Sequence, residues 1–253
     1  MIHRRKNLLH LYKGAYFLSL DTLDTSLSPI IVQIAIVVLW IGLLLLVTSL
    51  LNRFGTGNSE IISKVVHIGT GNIILFAWWL DIPAFVGVGA SVFASIVTLL
   101  SYSFPILPGI NSVGRKSLGT FFYAVSIGVL VAWFWNINRP QNAALGILVM
   151  AWGDGLAALV GQRFGKHPYK IWDNKKSWEG SGTMAIVSFI VSCLIFLSVQ
   201  GNDWQTWIVS LSVALLATTL EAFSVYGIDN LTVPLGSAAL GFCLIELLPR
   251  YWG

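Results

Sequence analysis

Long apolar runs recur along the whole chain, and they restrict its fold more than any other feature. A helix that crosses a bilayer needs about 20 mostly apolar residues. The clearest run is Ile30–Leu51, in which Gln33 is the most polar residue. We predict eight spans, within a range of seven to nine, and the other seven are Ile61–Leu80, Pro83–Phe104, Leu118–Asn136, Ala143–Val160, Thr183–Val199, Trp204–Val225 and Val233–Leu248.

The composition excludes the other broad classes of protein. Charged residues make up 10% of the 253 residues, against about 25% in an average soluble domain. The 11 Trp, 14 Phe and 7 Tyr supply too much apolar area for a disordered chain. The sequence therefore predicts an all-α, polytopic integral membrane protein. We expect residues 1–28 to form an amphipathic arm on the membrane surface and residues 29–253 to form a single transmembrane domain.

Basic residues divide unevenly between the two ends of the predicted spans. The loops after the odd-numbered spans share one side, which the positive-inside rule makes cytoplasmic. The opposite side holds Arg139 and Arg250, whereas the cytoplasmic side holds Arg53, Lys64, Arg115, Lys116, Arg163, Lys166, Lys170, Lys175 and Lys176. The basic arm falls on the wrong side, so either it bends back or the span count is off by one. We interpret the net charge of +4 as this asymmetry, and we expect no nucleic-acid partner.

One acid lies inside a predicted span. Charged residues at membrane depth are costly, and each is a functional hypothesis by default. Asp154 follows Gly153 and precedes Gly155 in the fifth run. These small neighbours would let another backbone or a phosphate approach the carboxylate. The alternative is a structural aspartate that is satisfied by a neighbouring helix.

The longest polar connection, from residue 161 to 181, has the composition of an anion site. Lys175 and Lys176 precede Glu179, Gly180 and Ser181 at the mouth of the sixth span. Amides at a helix start attract anions, and two lysines above them would hold a polyphosphate. The alternatives are a solvated face toward lipid headgroups and, for Lys176 with Glu179, a plain ion pair on a helix face. The G-x-x-x-x-G-K-[ST] phosphate loop is absent.

A third polar group brackets the last two spans. Glu221 lies in the seventh span, and Asp229 and Asn230 precede the eighth. Together with Asp154, these acids could bind Mg²⁺, which combines few carboxylates with substrate phosphates. The alternative for Asp229 is helix capping ahead of Pro234. Accessory candidates are Lys64, His67 and Arg115.

Four ordered segments resemble the phytol kinase family, which belongs with dolichol kinases and membrane cytidylyltransferases in the polyprenol kinase group. The resemblance covers roughly residues 60 to 248, and Lys64-Val65-Val66-His67 is similar to a basic-plus-His motif upstream of them. The four segments are Gly153-Asp154-Gly155-Leu156-Ala157, Gly161-Gln162-Arg163-Phe164-Gly165, Asn174-Lys175-Lys176-Ser177-Trp178-Glu179-Gly180-Ser181, and Glu221 with Asp229-Asn230-Leu231-Thr232-Val233-Pro234.

The resemblance implies transfer of a phosphoryl group to a prenyl alcohol, most of all phytol, with CTP as donor. It also implies a bacterial, cyanobacterial or plastid membrane, an active face toward the cytoplasm or stroma, and a place in tocopherol and isoprenoid metabolism. The alternatives are a dolichol, farnesol or geranylgeraniol kinase, a lipid cytidylyltransferase and, from another class, a small-molecule transporter. A transporter is disfavoured because the chain shows no internal repeat and its charges lie toward one face.

The same resemblance implies roles for the candidate residues. Asp154 and Asp229, with Glu221 as a further ligand, would hold Mg²⁺, and either aspartate could accept the proton of the alcohol. Arg163, Lys175 and Lys176 would neutralise the phosphates, with help from Gly180, Ser181 and Asn230, while Glu179 orients the lysines. The chain length of the alcohol and the oligomeric state stay open.

Overall fold

The computed structural model describes residues 29–54, 59–103, 118–172 and 174–248. The predicted arm at residues 1–28 and the accessory candidate Arg115 lie outside this part of the chain. The helices are α1 (Pro29–Phe54), α2 (Ser59–Gly71), α3 (Ile73–Trp79), α4 (Ala84–Ser103), α5 (Gly119–Asn136), α6 (Pro140–Leu148), α7 (Gly155–Phe164), α8 (Trp178–Gln200), α9 (Trp204–Ala222) and α10 (Asp229–Leu247).

These helices confirm the eight predicted spans. In the described residues, eight segments are long and apolar enough to cross a membrane. Two of them are composite: α2 and α3 form the second, and α6, a π-helical segment and α7 form the fifth. The chain is an all-α polytopic membrane protein. Contacts divide it into two compact units at Trp40 and Ile41, and the second unit contains the second to eighth spans. The predicted arm and single transmembrane domain stay a prediction.

The fifth span is the most buried segment of the second unit. Residues 143–151 are almost completely buried, and α8 and α10 both pack against this span. Because lipid tails supply no hydrophobic drive between helices, such packing depends on small residues that let backbones approach. A Cβ on Gly146 would lie 2.2 Å from the carbonyl oxygen of Pro234, and one on Gly153 would lie 2.6 Å from the sulfur of Met184. Because neighbouring helices pack around the fifth span, they shield its Asp154 from lipid.

A π-helical segment, Val149–Asp154, interrupts the fifth span and ends at the buried acid. A π turn adds a residue to the helical repeat and re-aims the side chains beyond it, and such turns are frequent at functional sites. α7 then continues to Phe164, beyond the predicted end at Val160.

The polar connection between the fifth and sixth spans contains a β-hairpin that its sequence pattern does not predict. Strands β1 (Pro168–Ile171) and β2 (Asn174–Ser177) pair antiparallel, and Tyr169 lies opposite Lys176. The next helix, α8, begins at Trp178, five residues before the predicted start of the sixth span. Its N-cap is Ser177, whose side chain accepts a hydrogen bond from the N–H of Gly180 at 3.1 Å. The sixth span was predicted from its apolar run, which does not include the first turn of α8 because that turn is polar.

Candidate active site

One cavity of about 740 Å³ gathers side chains that are far apart in sequence. Its size is within the roughly 300–1,000 Å³ of small-molecule sites. Its walls come from α2, the end of the π-helical segment, α7, the hairpin, α8, the end of α9, the connection that follows α9 and the start of α10. The predicted residues that line it are Lys64, Asp154, Lys175, Lys176, Gly180, Ser181, Glu221, Asp229 and Asn230.

Asp154 is paired with a lysine from another span. The ammonium nitrogen of Lys64 lies 2.6 Å from Oδ2 of Asp154, and the two side chains are only 16% and 14% exposed. Nε2 of His67 lies 3.9 Å from the same oxygen, and the ring of His67 packs on that of Tyr123 with centroids 4.3 Å apart. A neighbouring helix thus neutralises Asp154, as the structural alternative required, yet the carboxylate still lines the cavity.

Lys176 forms the second lysine–acid pair, and its partner is also remote in sequence. Its ammonium lies 2.5 Å from Oε1 of Glu221 and also donates to the backbone carbonyl of Glu221. The other carboxylate oxygen, Oε2, is buried and has no hydrogen-bond partner in the described part of the chain. Lys176 belongs to β2, so the alternative of a helix-face pair with Glu179 is wrong.

Asp229 is the third acid, and it is held differently. Its N–H donates to Oγ of Ser224 at 3.0 Å, while its Oδ1 accepts from the backbone N–H of Asn230 at 3.0 Å and from Nδ2 of Asn230 at 3.1 Å. Within the described ranges it forms no ion pair. The N-cap of α10 is Ile228, so Asp229 is the first residue of the helix and not its cap, and the capping alternative is wrong. Asp229 lines the cavity without a lysine bonded to it in the described residues.

At the start of α8, where an anion site is predicted, some of the polar groups already bond to other groups of the protein. Gly180 donates its N–H to the Ser177 hydroxyl, and Oγ of Ser181 lies 2.5 Å from the hydroxyl of Tyr169. Lys175 is exposed and lines the cavity from the hairpin. A phosphate at this position would meet Lys175 and Lys176 first, and the helix start would need the Tyr169 contact to open.

Three predicted residues are not brought to the cavity wall. Arg163 is exposed on α7, and its guanidinium lies over the ring of Phe164, 5.6 Å from the centroid. Glu179 contacts His167 through Nδ1 at 2.7 Å instead of orienting the lysines. His67 lies behind Asp154, outside the lining residues.

Comparison with known proteins shows the family of this chain. A phytol kinase of Synechocystis sp. is 49% identical over 214 residues, which are 85% of this chain and 92% of that protein. This chain belongs to the phytol kinase family. A probable chloroplastic phytol kinase of Triticum aestivum is 30% identical over 210 residues, 72% of this chain and 66% of that protein. A chloroplastic farnesol kinase of Arabidopsis thaliana is 29% identical over 221 residues, 77% of this chain and 68% of that protein.

No known family profile matches the chain, and no solved structure is a significant match. Membership of the phytol kinase family therefore comes from similarity to these curated proteins over most of the chain.

The acids of this phytol kinase family member could supply some of the ligands of a divalent cation, but not all of them. Within the described residues, no three His, Cys, Asp or Glu side chains converge as a metal cage. Asp154 and Glu221 are each bonded to a lysine, whereas Asp229 is not. Mg²⁺ commonly binds through one or two carboxylates plus substrate phosphates. Asp229 and the unbonded Oε2 of Glu221 fit that description.

Other residues of this family member line the cavity without having been predicted. Glu60 comes from α2, Gln162 from α7, and Ser224 and Tyr226 from the connection between α9 and α10. Single polar residues next to apolar runs carry no distinctive pattern, so no signal in the sequence marked Glu60 or Ser224. Gln162 lies within the segment Gly161-Gln162-Arg163-Phe164-Gly165, which carries part of the family resemblance, but no role was predicted for it. The Tyr226-Gly227 pair was a turn signal that could have been followed.

Proposed function

We propose that this protein transfers the γ-phosphoryl group of CTP to the hydroxyl of a prenyl alcohol, phytol before others, with Mg²⁺ as cofactor. The observation that carries the proposal is the single cavity that joins Lys64–Asp154, Lys176–Glu221 and Asp229. Relatives named phytol kinase and farnesol kinase support the alcohol class. Phosphoryl transfer needs mainly positioning and charge neutralisation, which such a cavity supplies.

In the proposed reaction the alcohol oxygen attacks the γ-phosphorus, the bond to the bridging β–γ oxygen breaks, and CDP leaves. We assign the hydroxyl proton to Asp154, because Lys64 fixes one of its oxygens while the carboxylate still lines the cavity. Lys64 thereby orients the acceptor. A carboxylate within hydrogen-bond reach of the hydroxyl meets the geometric requirement for such a group.

The two lysines of β2, Lys175 and Lys176, are the proposed phosphate ligands. An ammonium is a compact charge on a flexible stem, so Lys176 can exchange its bond to Glu221 for one to a phosphate oxygen. Lys175 is already exposed at the cavity. Magnesium, held by Asp229 and Glu221, would neutralise the charge on the phosphates when bound.

The alcohol is proposed to reach this cavity from the bilayer, while the nucleotide comes from the aqueous side. Each CH₂ of the chain that stays out of water contributes about 0.8 kcal/mol, which favours a lipid-side route. The basic residues around the hairpin support a proposed site on the cytoplasmic or stromal face.

The test is a matrix of substrates offered to the purified protein in detergent. Phytol, farnesol, geranylgeraniol and dolichol are each combined with ATP, GTP, CTP and UTP, and the products are identified by mass. We expect phytyl monophosphate and CDP to form fastest. Pyrophosphate with a CDP-linked lipid would instead indicate a cytidylyltransferase, and the absence of any phosphorylated alcohol across the matrix would reject the proposed function.

A further inference from the structure

Tyr226 lines the cavity in a backbone conformation that tyrosine rarely adopts. Its φ is 55°, and Gly227 comes next with a φ of 83°. The N–H of Ile228 donates to the carbonyl oxygen of Val225 at 3.1 Å, which closes a four-residue turn of the type I′ pattern. Asn, Asp and Gly dominate such turns, because a bulky side chain at positive φ is strained. A tyrosine kept there points to a use for its ring.

The surroundings of this ring favour a polar, planar ligand. Tyr226 is 80% exposed although it lines the cavity, so its ring lies at the rim. The neighbouring lining residues on the same connection and on α10 are Ser224, Gly227, Asp229 and Asn230. An isoprenoid chain would need an apolar wall, whereas an aromatic face among polar groups suits a heteroaromatic base. Base–aromatic stacking tolerates any base, since every base has a π face.

Gln162 supplies a second group for such a ligand. It is exposed on α7 and lines the same cavity. Its amide carries two N–H donors and a carbonyl acceptor, and no other described residue hydrogen-bonds to it. A pyrimidine edge with both donors and acceptors, such as that of cytosine, complements a primary amide.

We infer that Tyr226 stacks on the nucleobase of the phosphoryl donor and that Gln162 hydrogen-bonds to the edge of that base. The inference rests on the proposed function and extends it from the phosphates, which Lys175 and Lys176 meet, to the base. Tyr226 then sets nucleotide affinity, and Gln162 sets the preference among nucleotides.

The test measures equilibrium binding of radiolabelled CTP with Mg²⁺ in the absence of alcohol, so that no turnover occurs. Tyr226→Ala and Tyr226→Asn should each raise the Kd by about 10-fold, the size of one base–aromatic stack, and Tyr226→Phe should leave it within about 2-fold. The asparagine variant is the sharper of the two. Asparagine tolerates positive φ, so thermal stability should hold or rise while CTP binding falls.

The selectivity arm uses Gln162→Ala. We expect the ratio of the Kd values for UTP and CTP to fall toward 1, because the group that distinguishes the two pyrimidine edges is gone. An unchanged ratio removes Gln162 from the inference.

Trp172 offers a matched control. It also has a positive φ, 53°, and is 73% exposed, but it does not line the cavity. Trp172→Asn should therefore leave the Kd for CTP unchanged. The inference is overturned if the Tyr226 variants bind CTP normally, if Trp172→Asn loses as much affinity, or if only the KM for the alcohol rises. A wild-type protein that binds CTP yet phosphorylates no alcohol would instead reject the proposed function, and the two failures are distinguishable.

Discussion

Replacing Lys64 by methionine should destabilise the fold, because it strands a charged acid in a nearly buried position. Lys64 Nζ and Asp154 Oδ2 are 2.6 Å apart. At an effective dielectric constant of about 20, the gross attraction at that separation is roughly 6 kcal/mol. Desolvation of both groups offsets part of it, and removal of one partner of a buried pair costs about 3–5 kcal/mol. We expect a loss of that size in Lys64→Met.

The assay is thermal unfolding of the purified protein in detergent, monitored by circular dichroism. For a chain of this length, 3–5 kcal/mol corresponds to a lowering of the midpoint by about 6–20 °C. The matched control is Lys166→Met, the same chemical change at an exposed lysine outside the cavity; it should shift the midpoint by no more than about 2 °C.

A double-mutant cycle decides whether the pair itself is the cause. Lys64→Met combined with Asp154→Asn removes both charges, so the double variant should be more stable than the sum of the single losses predicts. Additive losses, or a Lys64→Met variant as stable as Lys166→Met, would refute the reasoning.

The same contacts lead to three other predictions. Asp154→Asn should lower turnover by at least ~10²-fold, about 2.7 kcal/mol of barrier, and normal turnover by the folded variant would remove Asp154 from the mechanism. Lys176→Ala should raise the KM for CTP more than that for phytol; an unchanged KM would return the lysine to a structural role. Gly146→Ala should destabilise by more than about 2 kcal/mol, because its Cβ would lie 2.2 Å from the carbonyl oxygen of Pro234. Gly182→Ala is the control, since a Cβ there meets nothing within 4 Å, and equal unfolding midpoints for the two variants would count against this packing.

The spans were predictable because the bilayer requires every backbone group to be bonded within its own segment, which leaves long apolar helices as the solution. Asp154 stood out for the related reason that an acid in such a run must be explained. Its bond to Lys64 was not predictable, since the two residues are 90 positions apart and only packing brings α2 against the fifth span.

The polar connection shows where local patterns fail. Lys176 and Glu179 have the spacing of a helix-face pair, but the chain is extended up to Ser177 and helical only from Trp178. The lysine therefore points across the cavity to Glu221, 45 residues away. The strand β2 has only four residues, and all four are polar, so its pattern is too short to separate a hairpin from a loop.

The charged residues of the cavity predict that binding of a nucleoside triphosphate requires a cation. Among the described lining residues, the lysines are Lys64, Lys175 and Lys176, and the acids are Glu60, Asp154, Glu221 and Asp229, so acids outnumber lysines by one. This surplus of negative charge repels a bare nucleoside triphosphate more strongly than its magnesium complex, because Mg²⁺ cancels part of the negative charge of the phosphates. We therefore expect EDTA to weaken binding of CTP by at least about 10-fold, a difference of about 1.4 kcal/mol, with excess Mg²⁺ restoring it. Because Asp229 forms no ion pair with the described residues, Asp229→Asn should reduce this dependence on Mg²⁺ more than Glu60→Gln does. Equal binding of CTP with and without EDTA would show that the lysines alone neutralise the phosphates.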